Sequence, residues 1–255
     1  MKSFTPYPSV NKIIDHLLIK ISDILNGQFI GMYIHGSLAL NDFAPDRSDI
    51  DLVILTENAL SDSLLKKLKL LHKKITLSNL PYAKRIECIY IPIKSLKNYF
   101  QEKAFFPCLH IDGKFYIDGF GLIEKHILRE NGITIKGQSP KLFIKPVTQN
   151  ELKKAVIESL KNWWCPQLID HSRLIKNDYQ VYAVLTMCRA FYTIQRGGIV
   201  SKSKAASYAK DILDKKWILL INEALSWKIG KNFNHLIKTL DFIKYTLNNF
   251  GLLNK

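Results

Sequence analysis

From Asp49 to Leu55 the chain reads Asp-Ile-Asp-Leu-Val-Ile-Leu. Side chains alternate across a strand, so Asp49, Asp51, Val53 and Leu55 would share one face. Ile50, Leu52 and Ile54 would occupy the other. Beyond Asp51 both faces are apolar, and such a run is stable only when it is covered on both sides. The segment therefore predicts a central strand of a layered fold, with two carboxylates near its start. A solvent-facing pair on an edge strand is the competing reading, and the apolar run argues against an edge. Carboxylates that close on one face repel, and ionising both is costly unless a cation lies between them. Oxygen ligands of this kind favour Mg2+.

The flanking residues supply the rest of a small α/β unit. Pro8-Ser9 opens a helix in which Ile13, Ile14, Leu17, Leu18, Ile21, Ile24 and Leu25 recur at helical spacing, and Gly27 ends it. Phe29–Ile34 is short and apolar and predicts a strand. Ser61-Asp62 caps a helix with Leu64, Leu65, Leu68, Leu71 and Ile75 as its stripe. Arg85–Pro92 predicts a third strand, with Glu87, Ile89 and Ile91 on one face. From about Leu122 strand signals become rare. Gln149–Trp164 reads as one helix, and Val181, Val184, Leu185, Cys188 and Tyr192 mark a second that ends near Gly197-Gly198. Ser201 caps a third, with Ala205, Ala206, Ala209 and Ile212 inward. Trp217–Leu225 and Leu236–Leu247 complete a helical half. A boundary falls near Lys145-Pro146, giving domains 1–145 and 146–255.

Composition narrows the class of protein. Hydrophobic residues make up 47% of the 255, enough for packed cores, which excludes global disorder. A net charge of +15 suggests attraction to phosphate or nucleic acid, or simply a lysine-rich surface. No Lys/Arg block with interleaved aromatics favours nucleic acid. Cys88, Cys108, Cys165 and Cys188 form no C-x-x-C pair, so they read as small core residues rather than zinc ligands. The N-terminus has no signal-like apolar stretch, and no apolar run reaches the length of a membrane span. A soluble, cytoplasmic protein that acts as a monomer is the expectation.

Gly36-Ser37 directly follows the first strand, and Ser48-Asp49-Ile50-Asp51 follows at a spacing of about ten residues. Gly-Ser after a strand is by itself a common turn. A glycine there also lets backbone approach a phosphate, and the serine hydroxyl can hold the anion. Strand, Gly-Ser, spacer and apolar-flanked Asp-x-Asp together resemble the signature of the nucleotidyltransferase superfamily typified by polymerase β. The resemblance implies that the Gly-Ser loop binds nucleotide phosphates, that Asp49 and Asp51 bind Mg2+, and that a third carboxylate completes the site. Glu87, set in an apolar strand, is the candidate, since a buried carboxylate needs a partner. Pairing with Arg85 or Lys84 is the competing reading.

The helical half resembles the C-terminal domain of bacterial aminoglycoside adenylyltransferases, the streptomycin- and spectinomycin-modifying group. The residues that carry this are Leu185-Thr186-Met187-Cys188-Arg189, then Gly197, then Ile199–Lys202 with Ala205-Ala206. Trp163 with Pro166, and the Gly137–Pro146 segment, also fit that pattern. The fold implied is α+β, an N-terminal α/β domain with a mixed sheet followed by a helical bundle. By the same resemblance, Gly36, Ser37, Ser48, Arg189 and Lys202 contact ATP, and Asp49, Asp51 and Glu87 bind Mg2+. Glu87 is then also the general base. Arg189 has a competing reading as a helix-surface arginine paired with a carboxylate. Lys202 stands in a first helical turn, where the helix dipole disfavours a cation, and this supports an anionic partner.

For the acceptor, the resemblance places Trp163 against the drug, whereas the residue pattern alone favours a core tryptophan on the helix's apolar face. The family's acidic residues before Leu-Thr-x-x-Arg have Asp178 as their candidate here, with Asp170 further off. The stretch 99–118 matches nothing in the family, and Asp118 reads as a loop aspartate. The implied reaction is transfer of AMP from ATP to a hydroxyl of a cationic aminoglycoside or aminocyclitol, releasing pyrophosphate. A different hydroxylated metabolite, a protein or an RNA end is the alternative acceptor. A catalytically dead binding protein is the alternative class, and the complete carboxylate set argues against it.

Overall fold

A computed structural model describes residues 3–97, 104–110 and 112–253. The chain divides into two compact units. One runs to Phe43 and resumes over Ser48–Val147, and the other holds Ala44–Arg47 together with the chain from Thr148 onward. The four residues 44–47, in the middle of the Gly-Ser to Asp-x-Asp spacer, thus belong to the second unit.

The first unit is built on a six-stranded sheet. Its strands are β1 (Phe29–Ile34), β2 (Ile50–Thr56), β3 (Ile86–Pro92), β4 (Ala104–Leu109), β5 (Phe115–Phe120) and β6 (Ile133–Lys136), in the order β5-β4-β3-β2-β1-β6. Among the described residues only β2 and β3 run parallel; the other neighbours are antiparallel, so the sheet is mixed. The central position of β2 follows from its composition. Ile50, Leu52 and Ile54 enter a core formed with Ile13, Ile14, Leu17 and Ile21 of helix α1 (Pro8–Leu25). Val53 and Leu55 enter the core on the opposite face, with Tyr33, Ile89, Ile91 and Leu128. Burying a Leu or Ile side chain contributes about 1.5 to 3 kcal/mol, so a shift of one residue in β2 would be prohibitive. It would exchange these cores and drive Asp51 inward.

The remaining helices of this unit are α2 (Gly36–Ala39), α3 (Asp62–Thr76), α4 (Ile93–Lys97) and α5 (Leu122–Asn131). Ser61 caps α3 by accepting a hydrogen bond from Leu64 N at 3.3 Å. Strands β4 and β5 depart from the reading of 99–118 as an unmatched stretch, and β6 from the reading of the chain beyond Leu122 as helical. Pro107 in β4 and Asp118-Gly119 in β5 are poor strand formers, and tertiary pairing overrides them. Asp118 therefore lies on a strand, not in a loop. Residues 99–103 and 111 of the unmatched stretch lie outside the described residues.

The second unit contains α6 (Gln149–Ser159), α7 (Asn177–Arg196), α8 (Lys202–Ile212), α9 (Ile218–Ser226) and α10 (Leu236–Asn249). Two expectations are corrected here. The helix expected over Gln149–Trp164 is α-helical only to Ser159; residues Leu160–Trp164 form a π-helical turn closed by Cys165 N to Leu160 O. The wider turn changes the helix phase ahead of Pro166, so Trp164 is buried and Trp163 is 41% exposed. Ile212, expected inward, is 41% exposed at the last residue of α8, off the Ala205–Ala206–Ala209 stripe. Among the described residues no helix is long and apolar enough to cross a membrane.

Candidate functional site

The sheet gathers the carboxylates. In the parallel β2–β3 pair, Asp51 stands opposite Glu87, and Val53 opposite Ile89. Both acids therefore project to the face whose deeper positions are apolar, at the strand starts where that core ends. Asp49 immediately precedes β2. It is held by Arg85, whose Nε lies 3.7 Å from Asp49 Oδ1. The same guanidinium donates from Nη2 to Ser48 O and stacks 5.2 Å from the Tyr82 ring centre. Arg85, read from sequence as a possible partner of Glu87, also stands beside Asp49.

Gly36 and Ser37 close the site from β1. His35 N donates to Asp51 O at 2.9 Å, tying the end of β1 to β2. Gly36 then takes φ +60°, and a Cβ there would collide with Asp51 Oδ2 and lie 2.7 Å from Asp51 Cγ. Only glycine combines that conformation with that approach. Ser37 Oγ is buried and makes no hydrogen bond among the described residues. A buried hydroxyl left without a partner costs about 1 to 3 kcal/mol, and an incoming acceptor such as a phosphate oxygen would relieve that cost. Behind this turn the imidazole of His35 is buried against α5, within 3.1 Å of Glu124 O. Burial holds its pKa below the ordinary histidine value despite Glu124, so it stands neutral as packing rather than as a charged ligand.

Glu87 has a neighbour that the sequence did not announce. His110, just past β4, places Nδ1 3.8 Å from Glu87 Oε1 and Nε2 3.5 Å from Asp118 Oδ2. The signal was the alternation Phe106, Cys108, His110, which becomes informative only once β4 is known to pair with β3, with Ile89 opposite Cys108. An all-oxygen set from Asp49, Asp51 and Glu87, with a glycine cradle and a buried hydroxyl beside it, suits Mg2+ and phosphate.

The other expected site residues lie in the second unit. Lys202 is the first residue of α8, behind the Ser201 cap, with Nζ 5.9 Å from the Tyr182 ring centre. Arg189 is half-buried on α7 and donates from Nη2 to Thr186 Oγ1 at 3.4 Å. Trp163 is not a core residue. Its Nε1 donates to Tyr179 OH at 3.0 Å, and the Arg173 guanidinium lies 4.9 Å from its ring centre. Asp178 is exposed in the first turn of α7, where its carboxylate accepts from Tyr179 N at 2.9 Å. Trp163 and Tyr179 are brought together, as are Lys202 and Tyr182.

A mixed sheet with a Gly-Ser turn packed on an Asp-x-Asp strand, and a glutamate in register on the next strand, defines a nucleotidyltransferase. The family model described as nucleotidyltransferase domain matches residues 18–106, and that described as aminoglycoside adenylyltransferase, C-terminal domain, matches residues 142–248. A spectinomycin 9-adenylyltransferase from Campylobacter jejuni is 30% identical over 234 residues, covering 85% of this chain and 78% of the relative. One from Staphylococcus aureus is 25% identical, covering 84% and 83%. A crystal structure of spectinomycin adenyltransferase AAD(9) from Enterococcus faecialis with ATP and spectinomycin superposes with a TM-score of 0.68. It shares 21% identity and covers 95% of this chain and 99% of that one, which establishes the fold in common. The chain belongs to the aminoglycoside adenylyltransferase family.

Proposed function

We propose that this enzyme is a Mg2+-dependent O-adenylyltransferase that moves AMP from ATP to a hydroxyl of an aminocyclitol antibiotic, spectinomycin before streptomycin. The observation that carries the chemistry is the register of Asp51 with Glu87, with Gly36 packed without a side chain against Asp51. The acceptor rests on the relatives, whose stated activity is spectinomycin 9-adenylylation.

In this reading Asp49, Asp51 and Glu87 hold the Mg2+, which supplies charge neutralisation at the nucleotide phosphates. Ser37 gives its unpartnered hydroxyl to a phosphate oxygen, Gly36 admits that oxygen, and Ser48 flanks the same end of β2. Lys202 and Arg189 contribute positive charge toward the nucleotide. Trp163 and Asp178 offer an aromatic face and a carboxylate to a cationic acceptor. Glu87 takes the proton of the acceptor hydroxyl as its oxygen bonds to the α-phosphorus. The bond from that phosphorus to the bridging oxygen breaks, and pyrophosphate leaves. The protein acts in the cytoplasm, where ATP is available, as a monomer.

Incubation with ATP, Mg2+ and each drug, followed by pyrophosphate release and the mass of the modified drug, tests the reading. Spectinomycin plus one AMP is the expected product. No pyrophosphate with either drug overturns the acceptor assignment. The net charge of +15 permits a second reading, an anionic acceptor such as an RNA end. AMP transfer to tRNA that weakens steeply with salt would establish it.

A further inference from the structure

We propose that Cys108, His110 and Asp118 form a binding site for a thiophilic divalent cation of the Zn2+ class, separate in its ligands from the Asp49–Asp51–Glu87 set. The ligand atoms of the three residues all lie within 4.8 Å of one another. They come from one hairpin. Cys108 is on β4, Asp118 is on β5 opposite Phe106, and His110 follows β4, with its N donating to Lys114 O at 2.9 Å. Phe106, Cys108 and His110 alternate onto one face, so Asp118 shares that face. One ligand pair already has the spacing of a metal site. His110 Nε2 stands 3.5 Å from Asp118 Oδ2. Two ligands of a tetrahedral zinc, with bonds of about 2.0 to 2.3 Å, are separated by about 3.5 Å.

The donor set makes the choice of cation. Thiolate, imidazole and carboxylate together select Zn2+ over Mg2+, whereas three carboxylates do the reverse. The surroundings fit a ligand histidine. Glu87 Oε1 faces the other ring nitrogen of His110, Nδ1, at 3.8 Å. At that distance the pair is electrostatic rather than hydrogen-bonded, and a carboxylate on the Nδ1 side favours the tautomer that leaves Nε2 to bind metal. Nε2 is itself buried and makes no hydrogen bond among the described residues. Cys108 is 6% exposed. Burial first, then the carboxylates of Glu87, Asp118 and Asp51, push its thiol well above the usual range. The same negative field that opposes a bare thiolate attracts a cation. On binding, the thiol proton passes to solvent, and three protein ligands leave a fourth position for water. The site requires neither nucleotide nor drug, so it stands or falls independently of the acceptor assignment.

Cobalt(II) titration of the full-length, metal-stripped protein in excess Mg2+ reads the site directly. The expected result is one equivalent bound with a thiolate-to-cobalt charge-transfer band in the near ultraviolet, bleached by Zn2+. Cys108→Ser abolishes the band, and His110→Ala weakens binding at least tenfold. Asp49→Ala, which disables the oxygen site, leaves both intact. Absence of the band in the wild-type protein, or its survival in Cys108→Ser, overturns the proposal. If Cys108→Ser does not fold, His110→Ala decides, and cobalt affinity equal to wild type in that variant overturns it.

Discussion

Asp51 and Glu87 occupy one register position of the parallel β2–β3 pair, so two acids stand side by side on adjacent strands. Like charges placed directly across strands destabilise a sheet by roughly 0.2 to 1 kcal/mol, and a fold keeps such a pair for its chemistry. Asp51→Asn and Glu87→Gln are therefore expected to leave the metal-free melting temperature unchanged or higher. Adenylylation falls by about 100-fold or more for Glu87→Gln, the range for a lost general base. A melting temperature several degrees lower in both variants would show that the acids are structural.

Gly36 gives a sharper test because two constraints meet there. Its φ of +60° costs an alanine roughly 1 to 2 kcal/mol. The added Cβ also meets Asp51 Oδ2, which must rotate away. Gly36→Ala should lose most of its kcat and need more Mg2+ for half-maximal rate. Gly27, which has no atom within 4 Å of a Cβ, is the control: Gly27→Ala keeps full activity.

The parts of this arrangement that the sequence displays are those with short-range causes. Asp49 and Asp51 were legible because an apolar run fixed their strand as central, and Glu87 because an acid in an apolar strand asks for a partner. Arg85 as the partner of Asp49, and His110 as that of Glu87, depend on strand pairing across tens of residues, which no local pattern records. Strands β4 and β5 were hidden by Pro107 and by Asp118-Gly119, residues that local propensity assigns to turns. The exposure of Trp163 was hidden differently. A π-turn exchanges which of two adjacent tryptophans faces the core, and periodicity at 3.6 residues cannot anticipate that exchange.

His72 links acidity to stability. It is buried on α3 between Tyr90 and Phe115, with Nε2 2.5 Å from Tyr90 OH, and burial pushes its pKa down to about 3. The unfolded chain takes up a proton near pH 6.5, whereas the folded chain does not until about pH 3. Stability from the neutral ring is thus fully present above pH 6.5 and is lost as pH falls toward 3. The slope reaches about 1.4 kcal/mol per pH unit for one group. Urea unfolding of His72→Phe against wild type at pH 7 and 5.5 should show the variant losing about 1 kcal/mol less. Equal losses would place the proton elsewhere, with His35 and His126, both also lowered by burial, as the candidates.

Lys202 opens α8, where a cation stands against the helix dipole at a cost of about 0.3 to 1 kcal/mol. Its packing over Tyr182 returns a similar amount. Lys202→Ala should then leave the melting temperature within a degree or two while raising KM for ATP about tenfold, with KM for the drug little changed. An unchanged KM for ATP would remove Lys202 from the nucleotide contacts.

Arg85 offers the last test, because it sets a cation beside a residue assigned to bind Mg2+. Its Nε is 3.7 Å from Asp49 Oδ1, and both side chains are partly exposed, so solvent weakens the pair. Two consequences oppose each other. The guanidinium repels a divalent ion, yet its bond to Ser48 O and its stacking on Tyr82 also hold the entrance to β2 in place. Arg85→Gln removes the charge and keeps only a shorter, neutral amide donor. If repulsion dominates, Mg2+ at half-maximal rate falls several-fold with kcat nearly intact. If positioning dominates, kcat falls and the Mg2+ requirement rises. The partial exposure of the pair weakens its Coulomb energy more than its geometry, so the second outcome is expected. A Mg2+ titration of initial rates at fixed ATP separates the two in one measurement.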